Sequence, residues 1–540
     1  MASFDYVIVG AGAAGCVLAY RLSENPALKI ALIEAGPRDV HPFIAMPKGL
    51  AKVMADPAHL WVHMSKPEES TAGQTEAWVR GRVLGGSSSV NGMMYVRGQP
   101  ADFDAIAERT SDDWSWAHIG KAYAALENHE LGAGETRGDR GPLKVSMPTI
   151  RDRLSEAQVS AARAMGWEIA ADTNAPTDVA RFGYAPRTIY KGKRQSAATA
   201  FLRPIETRPN LTILTDRVVQ RVVFDGVRAT GVEVKSAAGA EIFEATREFI
   251  ICGGAMASPA ILERSGIGDR ARLEALGVPV VHHSPEVGEG LIEHRGLIVQ
   301  WKLKDAALSQ NREFSGWRLL RGVARYYLTG GGPMSSAAYE IGGWFKTDPG
   351  LNRPDAQMLV APYSFDMATQ RSSLEAFPGM NAVVYPLRPI SRGSIHIETL
   401  DPNAPAAFSP NYRATEQDRK AMIGAIRVVR QWAAQSPIKA LIVEETLPGP
   451  AIETDAEILE AYDKLGTCGY HAIGSCRMGK DASSVVDPEL RVRGVEGLRV
   501  MDTSIMPSIP SGNTNGPTMA MAWRAADVIL RDAKALQAAA

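Results

Sequence analysis

The sequence predicts an α/β protein, α+β overall, in which a nucleotide-binding domain made of several chain segments surrounds an inserted second domain. The first observation is a strand, a glycine-rich turn, a helix and a second strand within the first 34 residues. The second is a run of strand patterns over 211–251, and the third is a final stretch of glycine-rich turns that ends in a helix. Between the last two lies a region, 296–455, with separate strand and helix signals.

The composition is that of an ordinary globular protein. The chain has 540 residues, of which 45% are apolar and 22% are charged, and these fractions exclude a disordered, collagen-like or coiled-coil chain. The net charge is −1, so there is no overall positive field, and we expect no nucleic-acid partner. The one excess is 50 glycines, which fits turns that approach a ligand closely.

The cysteines and the longest uncharged run bear on the compartment. Cys16, Cys252, Cys468 and Cys476 form no CxxC pair, which argues against a zinc site or a disulfide framework and predicts buried free thiols. The uncharged run Thr503–Trp523 contains three prolines, so we expect no membrane span. The sequence before the first strand has no signal-peptide pattern, so we expect no secretory leader. We therefore expect a soluble, cytoplasmic protein without a metal site.

The opening of the chain carries the clearest functional motif. Tyr6–Val9 is an apolar run suited to a buried parallel strand, and a helix follows the turn after it. Gly10, Gly12 and Gly15 match G-x-G-x-x-G, with Glu34 at the end of the second strand. The glycines allow a tight turn, a close backbone approach to a pyrophosphate and close packing of the helix, while the acid can bind ribose hydroxyls. The pattern predicts a Rossmann-like dinucleotide site, for either NAD or FAD.

The remaining elements follow in order along the chain. Residues 102–130 have a helical pattern, and Asp225-Gly226 predicts a hairpin turn within the strand-rich 211–251. Apolar residues at helical spacing predict a helix over 416–435, and for the second domain we expect an antiparallel sheet with helices. The predicted division places 1–150, 200–295 and 456–540 in the nucleotide-binding domain, and 151–199 and 296–455 in the substrate-binding domain and its connections.

Six segments together resemble the glucose–methanol–choline (GMC) flavoprotein oxidoreductases. They come in that family's order and span most of the chain, and the N-terminal part looks most like bacterial choline and aliphatic alcohol dehydrogenase members. The segments are GAGAAG with LIEAGPRD, GRVLGGSSSVNGMMYVRG, GGAMASPAILERSGIG, YHAIGSCRMG and MPSIPSGNTNGPTMA.

The resemblance implies FAD as the cofactor and assigns it a set of residues. Each assignment takes the position of this sequence that matches the family's motif. It implies Gly10, Gly12, Ala13, Ala14 and Gly15 at the pyrophosphate, Glu34 and Ala35 at the adenosine ribose, Gly85, Gly86, Ser87, Ser88, Asn91, Gly92, Met93 and Met94 at the diphosphate and flavin, Val219 at the adenine, Asp502 at the ribityl chain, and Thr514 and Asn515 at the flavin pyrimidine.

Two positions depart from the family's pattern. Val90 stands where members with a histidyl-linked flavin have histidine, so the resemblance implies non-covalent FAD. The segment Gly288–His294 differs from the usual G-E-N-L-Q-D-H, and we interpret it as a turn at a domain border rather than as part of a site.

One histidine among ten is predicted to be catalytic. Removing a hydroxyl proton near pH 7 calls for a neutral imidazole, and His471 lies in a Gly/Cys/Ser turn that matches the family's catalytic histidine. Asn513 falls on its partner position and is predicted to hold the alcohol oxygen, with Asn515 as the alternative, and Tyr470 is a candidate for the pocket wall. The others interpreted as structural or surface groups are His41, His59, His63, His118 and His129.

The predicted function is the oxidation of a primary alcohol to an aldehyde with hydride transfer to flavin N5. The electron acceptor is O₂, a quinone or another carrier, since oxidases and dehydrogenases share these motifs. The alternatives within the same fold are a hydroxynitrile lyase and a fatty-acid photodecarboxylase. Around His471 and Asn513, the only charged residue in the matched segments is Arg477, which favours an uncharged alcohol over choline.

Overall fold

The computed structural model describes residues 4–237, 239–369 and 373–539, and a parallel sheet forms the centre of its first unit. Val9 of the first strand pairs with Ile33 on one side and Ile251 on the other, and the predicted strands on the two sides of the glycine turn are confirmed. Tyr6–Val9 and Ile30–Ile33 are wholly apolar because both faces of the sheet are covered at these strands. Within the described residues the sheet has five strands, in the order Leu211–Leu214, Ile30–Ile33, Phe4–Val9, Ala245–Ile251 and Leu498–Val500.

Helices from distant parts of the chain pack on this sheet. The helix Ala13–Leu22 starts directly after Gly12 and packs against the last helix, Asn515–Ala539. The predicted helical stretch 102–130 is two helices, Pro100–Arg109 and Trp116–Leu126, because a turn around Trp114 separates them. The indole of Trp114 is buried and donates a hydrogen bond to the carbonyl of Pro488.

A large, mainly antiparallel sheet forms the second unit, where the sequence predicts an antiparallel sheet, and its one parallel pair among the described strands joins Glu168–Ile169 to Arg181–Tyr184. The helix Glu416–Ala433 covers it, with Met422, Ile426, Val429 and Trp432 in the shared core, which confirms the predicted helix. In the described part of the chain the sheet has eight strands: Ile442–Leu447, Arg295–Leu303, Gly379–Pro386, Ala356–Ala361, Ile341–Phe345, Arg181–Tyr184 and Glu168–Ile169 in order, with Thr467–Cys468 paired to Arg295–Leu303.

The parallel sheet draws on the segments before 251 and after 497, and the antiparallel sheet draws mainly on 168–184 and 295–447. The helix Asp455–Leu465 packs on the antiparallel sheet through Ile458 and Tyr462. The domain boundaries themselves stay predictions.

The smaller sheets join Leu60–Met64 with Ala77–Gly81, Glu127–His129 with Leu143–Val145, Ile189–Tyr190 with Lys193–Arg194, Ile267–Gly268 with His282–His283, Val218–Asp225 with Arg228–Ser236 and Gly239–Phe243, and Glu289–Leu291 with Gly393–His396 and Ala407–Ser409.

The remaining features concern helices and thiols. Among the described residues no helix is long and apolar enough to cross a membrane. All four cysteines are buried and free, which confirms that prediction. The further α-helices are Pro42–Ala45, Leu50–Val53, Arg153–Ala164, Gly254–Arg264, Arg270–Ala275, Gly316–Thr329 and Ser436–Lys439.

Candidate active site

A cavity of about 480 Å³ runs from the glycine turn to His471 and Asn513. It brings together nearly all the residues that the sequence predicts at the site. Gly15 and Gly85 are not among the residues on its wall, and their predicted places at the cofactor stay predictions. The predicted residues on its wall are Gly10, Gly12, Ala13, Ala14, Glu34, Ala35, Gly86, Ser87, Ser88, Asn91, Gly92, Met93, Met94, Val219, Tyr470, His471, Asp502, Asn513, Thr514 and Asn515.

The glycine turn forms a cradle that side chains would fill. Gly10 has φ +101°, and a Cβ there would lie 2.5 Å from the carbonyl oxygen of Cys252. A Cβ on Gly15 would lie 1.9 Å from the carbonyl oxygen of Gly10, so Gly15 serves the packing of helix on strand. A Cβ on Gly12 would meet nothing within 4 Å, so the open space of the cavity begins at this backbone. Bare backbone at the start of a helix fits the pyrophosphate of a dinucleotide.

Two buried carboxylates stand at this end of the cavity. Glu34 accepts hydrogen bonds from the backbone N–H groups of Ala11 and Gly36, both at 2.9 Å, and burial raises its pKa to about 7. Asp502 accepts hydrogen bonds from the backbone N–H of Gly254 and the hydroxyl of Ser258, and burial raises its pKa. Both groups fix the backbone around the cavity, and both keep lone pairs for ribose or ribityl hydroxyls.

At the other end, three side chains form a hydrogen-bonded row. Nε2 of His471 lies 2.9 Å from Nδ2 of Asn513, and its Nδ1 lies 2.9 Å from Nδ1 of His294. Nε2 of His294 lies 2.9 Å from the carbonyl oxygen of Leu387. The ring of Tyr385 stacks on His294 with centroids 4.9 Å apart.

The row determines which nitrogen of His471 carries the proton. The carbonyl of Leu387 can only accept, so His294 donates from Nε2 and keeps a lone pair on Nδ1, since burial lowers its pKa to about 4. His471 must then donate its Nδ1–H to His294. The lone pair of His471 is therefore on Nε2, which faces Asn513 on the cavity wall.

Glu293 holds the backbone of both histidines. Its Oε1 accepts hydrogen bonds from the N–H groups of His294 and His471, each at 2.8 Å. Its Oε2 lies 3.5 Å from the guanidinium of Arg80, which lines the cavity. Because Glu293 is fully buried, its pKa rises to about 7. One carboxyl group thus connects the two segments that supply the histidine pair.

The environment keeps His471 neutral at pH 7. Burial lowers its pKa well below 6.5, and the nearby His294 and the positive charge of Arg80 lower it further. A neutral imidazole with a fixed lone pair can accept a proton, and the amide N–H of Asn513 beside it can donate to an oxygen. The oxygen Oδ1 of Asn513 is buried and has no hydrogen-bond partner among the described residues.

The structure corrects the interpretation of two segments. Gly288–His294 is more than a border turn, because His294 contacts His471 directly. A sequence signal existed, since this segment matches a family motif apart from three changes, at Gly290, Ile292 and Glu293. His63, interpreted as a structural or surface group, is buried on the cavity wall, where burial lowers its pKa to about 4. Arg80 on the wall carries no motif signal of its own.

Val90 and Tyr470 both lie on the cavity wall. Tyr470 has φ +62° and is 45% exposed, so it stands at the open side beside His471. In the described parts of the chain, no cluster of three or more His, Cys, Asp or Glu side chains could hold a metal ion.

Comparison with known proteins adds three findings. Family models described as GMC oxidoreductase match residues 4–295 and 389–522. The chain is 37% identical to the mitochondrial choline dehydrogenase of Homo sapiens, over 97% of this chain and 89% of that protein, and 35% identical to an alcohol dehydrogenase (acceptor) of Pseudomonas putida, over 98% and 96%. The crystal structure of formate oxidase from Aspergillus oryzae, in which FAD modification has been studied, superposes with a TM-score of 0.91 at 26% identity, covering 99% of each chain.

Proposed function

The chain belongs to the GMC oxidoreductase family, and from that premise we propose that it is an FAD-dependent enzyme that oxidises a primary alcohol to an aldehyde. The observation that carries the proposal is the convergence of a neutral His471 and the amide of Asn513 at one end of a cavity that begins at the glycine cradle. The alcohol and choline dehydrogenase relatives support the same reaction class.

The cradle residues fit FAD. The bare backbone of Gly12 and Ala13 would hold the pyrophosphate, and Glu34 and Asp502 would accept hydroxyl hydrogen bonds from the ribose and the ribityl chain. The chemistry that a bound flavin would supply is to accept the hydride that leaves the alcohol carbon.

The alcohol oxygen is positioned by His471 and Asn513. In the structure, Nε2 of His471 and Nδ2 of Asn513 lie 2.9 Å apart, and an alcohol oxygen that replaces this direct contact can hydrogen-bond to both. Its O–H donates to Nε2 of His471, which takes the proton, while the amide N–H of Asn513 donates to the oxygen and stabilises its developing negative charge. Asparagine cannot take the proton, so His471 alone is the base.

We propose that FAD is bound without a covalent link. The side chain of Val90 lies on the cavity wall and has no nucleophilic atom. FAD modification has been studied in the similar formate oxidase, so the cofactor released from this protein has to be tested directly.

We propose an uncharged alcohol as the substrate. The wall residues from the second domain are Ala338, Tyr339 and Leu359 together with the loop 402–406, and none of them has a carboxylate. Among the described wall residues, the carboxylates are Glu34 and Asp502, and both belong to the dinucleotide end. A quaternary ammonium group near His471 would instead meet the positive charge of Arg80.

The first experiment is anaerobic mixing of the holoenzyme with alcohols while the flavin absorbance is followed. We expect bleaching with a primary alcohol, followed by reoxidation when O₂ or a quinone is added, which identifies the acceptor. An unbleached flavin with every alcohol tested, together with cyanohydrin cleavage or light-dependent decarboxylation of a fatty acid, would overturn the proposal in favour of the lyase or the photodecarboxylase. For the substrate class, kcat/KM is compared for benzyl alcohol, a medium-chain alkanol, choline and glucose. A lead of about tenfold for choline or glucose would contradict the uncharged substrate.

A further inference from the structure

The helix Gly316–Thr329 presents an apolar stripe to solvent. Trp317, Leu320, Tyr327 and Leu328 are 63%, 71%, 62% and 84% exposed, and Ala324 is exposed between them. At 3.6 residues per turn, these five positions fall within an arc of about 100° on the helix surface. Isolated exposed apolar residues are common, but a continuous stripe of aromatic and aliphatic side chains marks an interaction surface.

The opposite face of this helix packs on the protein. Tyr326 is buried with Met46 and Met334, and Leu319 and Val323 pack against the same cluster. The exposed stripe is therefore separate from the face by which this helix packs on the protein. Met46 precedes the helix Leu50–Val53, and Leu50 lines the cavity. The stripe thus lies on an element that is packed beside the cavity wall.

One edge of the stripe is basic. Arg321 and Arg325 are exposed, and with Arg318 they occupy a neighbouring arc of about 60° between the stripe and the core face. Over 312–330 the chain has four arginines and one acid, Glu313, which lies 3.5 Å from Arg318 and 3.7 Å from Arg321.

A second basic segment adjoins the end of the helix. A Cβ on Gly192 would lie 1.9 Å from the carbonyl oxygen of Gly330, so the turn around Gly192 touches the helix terminus. The residues on either side, Lys191 and Lys193, are exposed, and Tyr190 is 44% exposed. The same surface therefore combines apolar and aromatic side chains with a basic border at its edge and its end.

We propose that this surface, the stripe with its arginine edge and the Lys191–Lys193 turn, docks on an anionic lipid bilayer. Tryptophan, tyrosine and leucine on one arc with arginine beside them is the pattern of a helix that lies in the plane of a membrane interface. The apolar side chains enter the boundary between headgroups and acyl chains, and the arginines and lysines contact lipid phosphates. Docking in this way needs no membrane-spanning helix.

Charge distinguishes the bilayer from a second copy of the chain. In an antiparallel two-fold pairing of this helix, the arginine edge of one copy lies against the arginine edge of the other. In a parallel pairing it lies against the far edge, where Val323 and Tyr327 stand. Neither arrangement gives the arginines a row of carboxylates, whereas lipid phosphates do.

The test is cosedimentation of the holoenzyme with vesicles of phosphatidylcholine alone or with about a third phosphatidylglycerol. We expect binding to the anionic vesicles that weakens between about 0.05 M and about 0.5 M salt. The double variant Arg321→Gln/Arg325→Gln should bind about 25-fold more weakly, at about fivefold per charge. Leu320→Ser/Leu328→Ser should also lose binding, and brominated lipids should quench Trp317 fluorescence, measured as the difference from Trp317→Phe.

The control variants are Ile242→Ser and Arg140→Gln, which change exposed residues elsewhere and should leave binding unchanged. All variants should keep the wild-type rate of flavin reduction by a water-soluble alcohol, which separates this proposal from the proposed function. Equal binding to both vesicle types, no binding to either, or unchanged binding of the two helix variants would overturn it. A stable dimer that Leu320→Ser/Leu328→Ser converts to monomer would also overturn it and would assign the surface to a second copy.

Discussion

Replacing His294 by phenylalanine tests whether His471 owes its reactive tautomer to its neighbour. His294→Phe keeps a ring that can stack on Tyr385 but removes the acceptor at Nδ1. The Nδ1–H of His471 is then a buried donor without a partner. The opposite tautomer, protonated on Nε2, gains an acceptor if the amide of Asn513 turns, because its oxygen has no other partner among the described residues.

The size of the effect follows from that hydrogen bond. A buried donor that loses its acceptor costs about 1–3 kcal/mol, and here the cost falls only on the tautomer that keeps the lone pair on Nε2. At about 1.4 kcal/mol per factor of ten, the productive tautomer becomes about 5- to 150-fold less populated. We expect the rate constant of flavin reduction to fall by that factor, while KM for the alcohol changes little.

The assay is stopped-flow flavin reduction under anaerobic conditions, with FAD content and thermal unfolding measured on the same samples. His294→Gln, whose side-chain carbonyl can accept from Nδ1–H, should recover part of the rate lost in His294→Phe. Tyr385→Phe is the packing control, since it removes only the hydroxyl that donates to Gln357. If His294→Phe reduces its flavin within about twofold of wild type, or if Gln and Phe behave alike, the tautomer argument is wrong.

The remaining predictions concern the base, its protonation and the cofactor. His471→Ala should slow flavin reduction by about 10²- to 10⁴-fold and leave FAD bound, and reduction within about threefold of wild type would place the base elsewhere. Because burial lowers the pKa of His471 well below 6.5, protonation of this imidazole should not lower the wild-type rate constant between pH 8 and about 6.5 and should lower it only at more acidic pH. Acid precipitation should release FAD intact into the supernatant, because Val90 cannot form a link to it, and flavin in the washed pellet would contradict this.

The fold was largely predictable because local sequence signals determine its main elements. The parallel strands are short apolar runs bounded by turn residues, and the glycine motif specifies the turn after Val9 through positive φ at Gly10 and close contacts at Gly15. In the helix Glu416–Ala433, the apolar residues of the buried face recur in the sequence at regular helical spacing. The break between Pro100–Arg109 and Trp116–Leu126 was missed, because the tertiary contact of Trp114 with Pro488 helps fix the turn there and leaves no pattern of its own.

Residues of the candidate site could be predicted from the sequence only where a residue type by itself indicates a chemical role, as histidine indicates a base. His471, the proposed base, lies in a short motif, but its tautomer depends on His294, which is 177 positions away in sequence. Nothing in the local sequence of Gly288–His294 shows that its histidine packs on another histidine. Arg80 and His63 likewise reach the cavity wall from the paired strands Leu60–Met64 and Ala77–Gly81, and no sequence motif marks either residue.

Glu293 explains why a departure from the family's pattern can leave the site intact. The carboxyl group at this position accepts hydrogen bonds from the backbone N–H groups of His294 and His471, and either acidic side chain has the oxygens for them. Glutamate has one more methylene than aspartate, so the carboxyl group also reaches Arg80 at 3.5 Å. The positive charge of Arg80 is one of the groups that lower the pKa of His471. Glu293, one of the three departures from the family's pattern in this segment, therefore connects the histidine pair to the cation on the cavity wall.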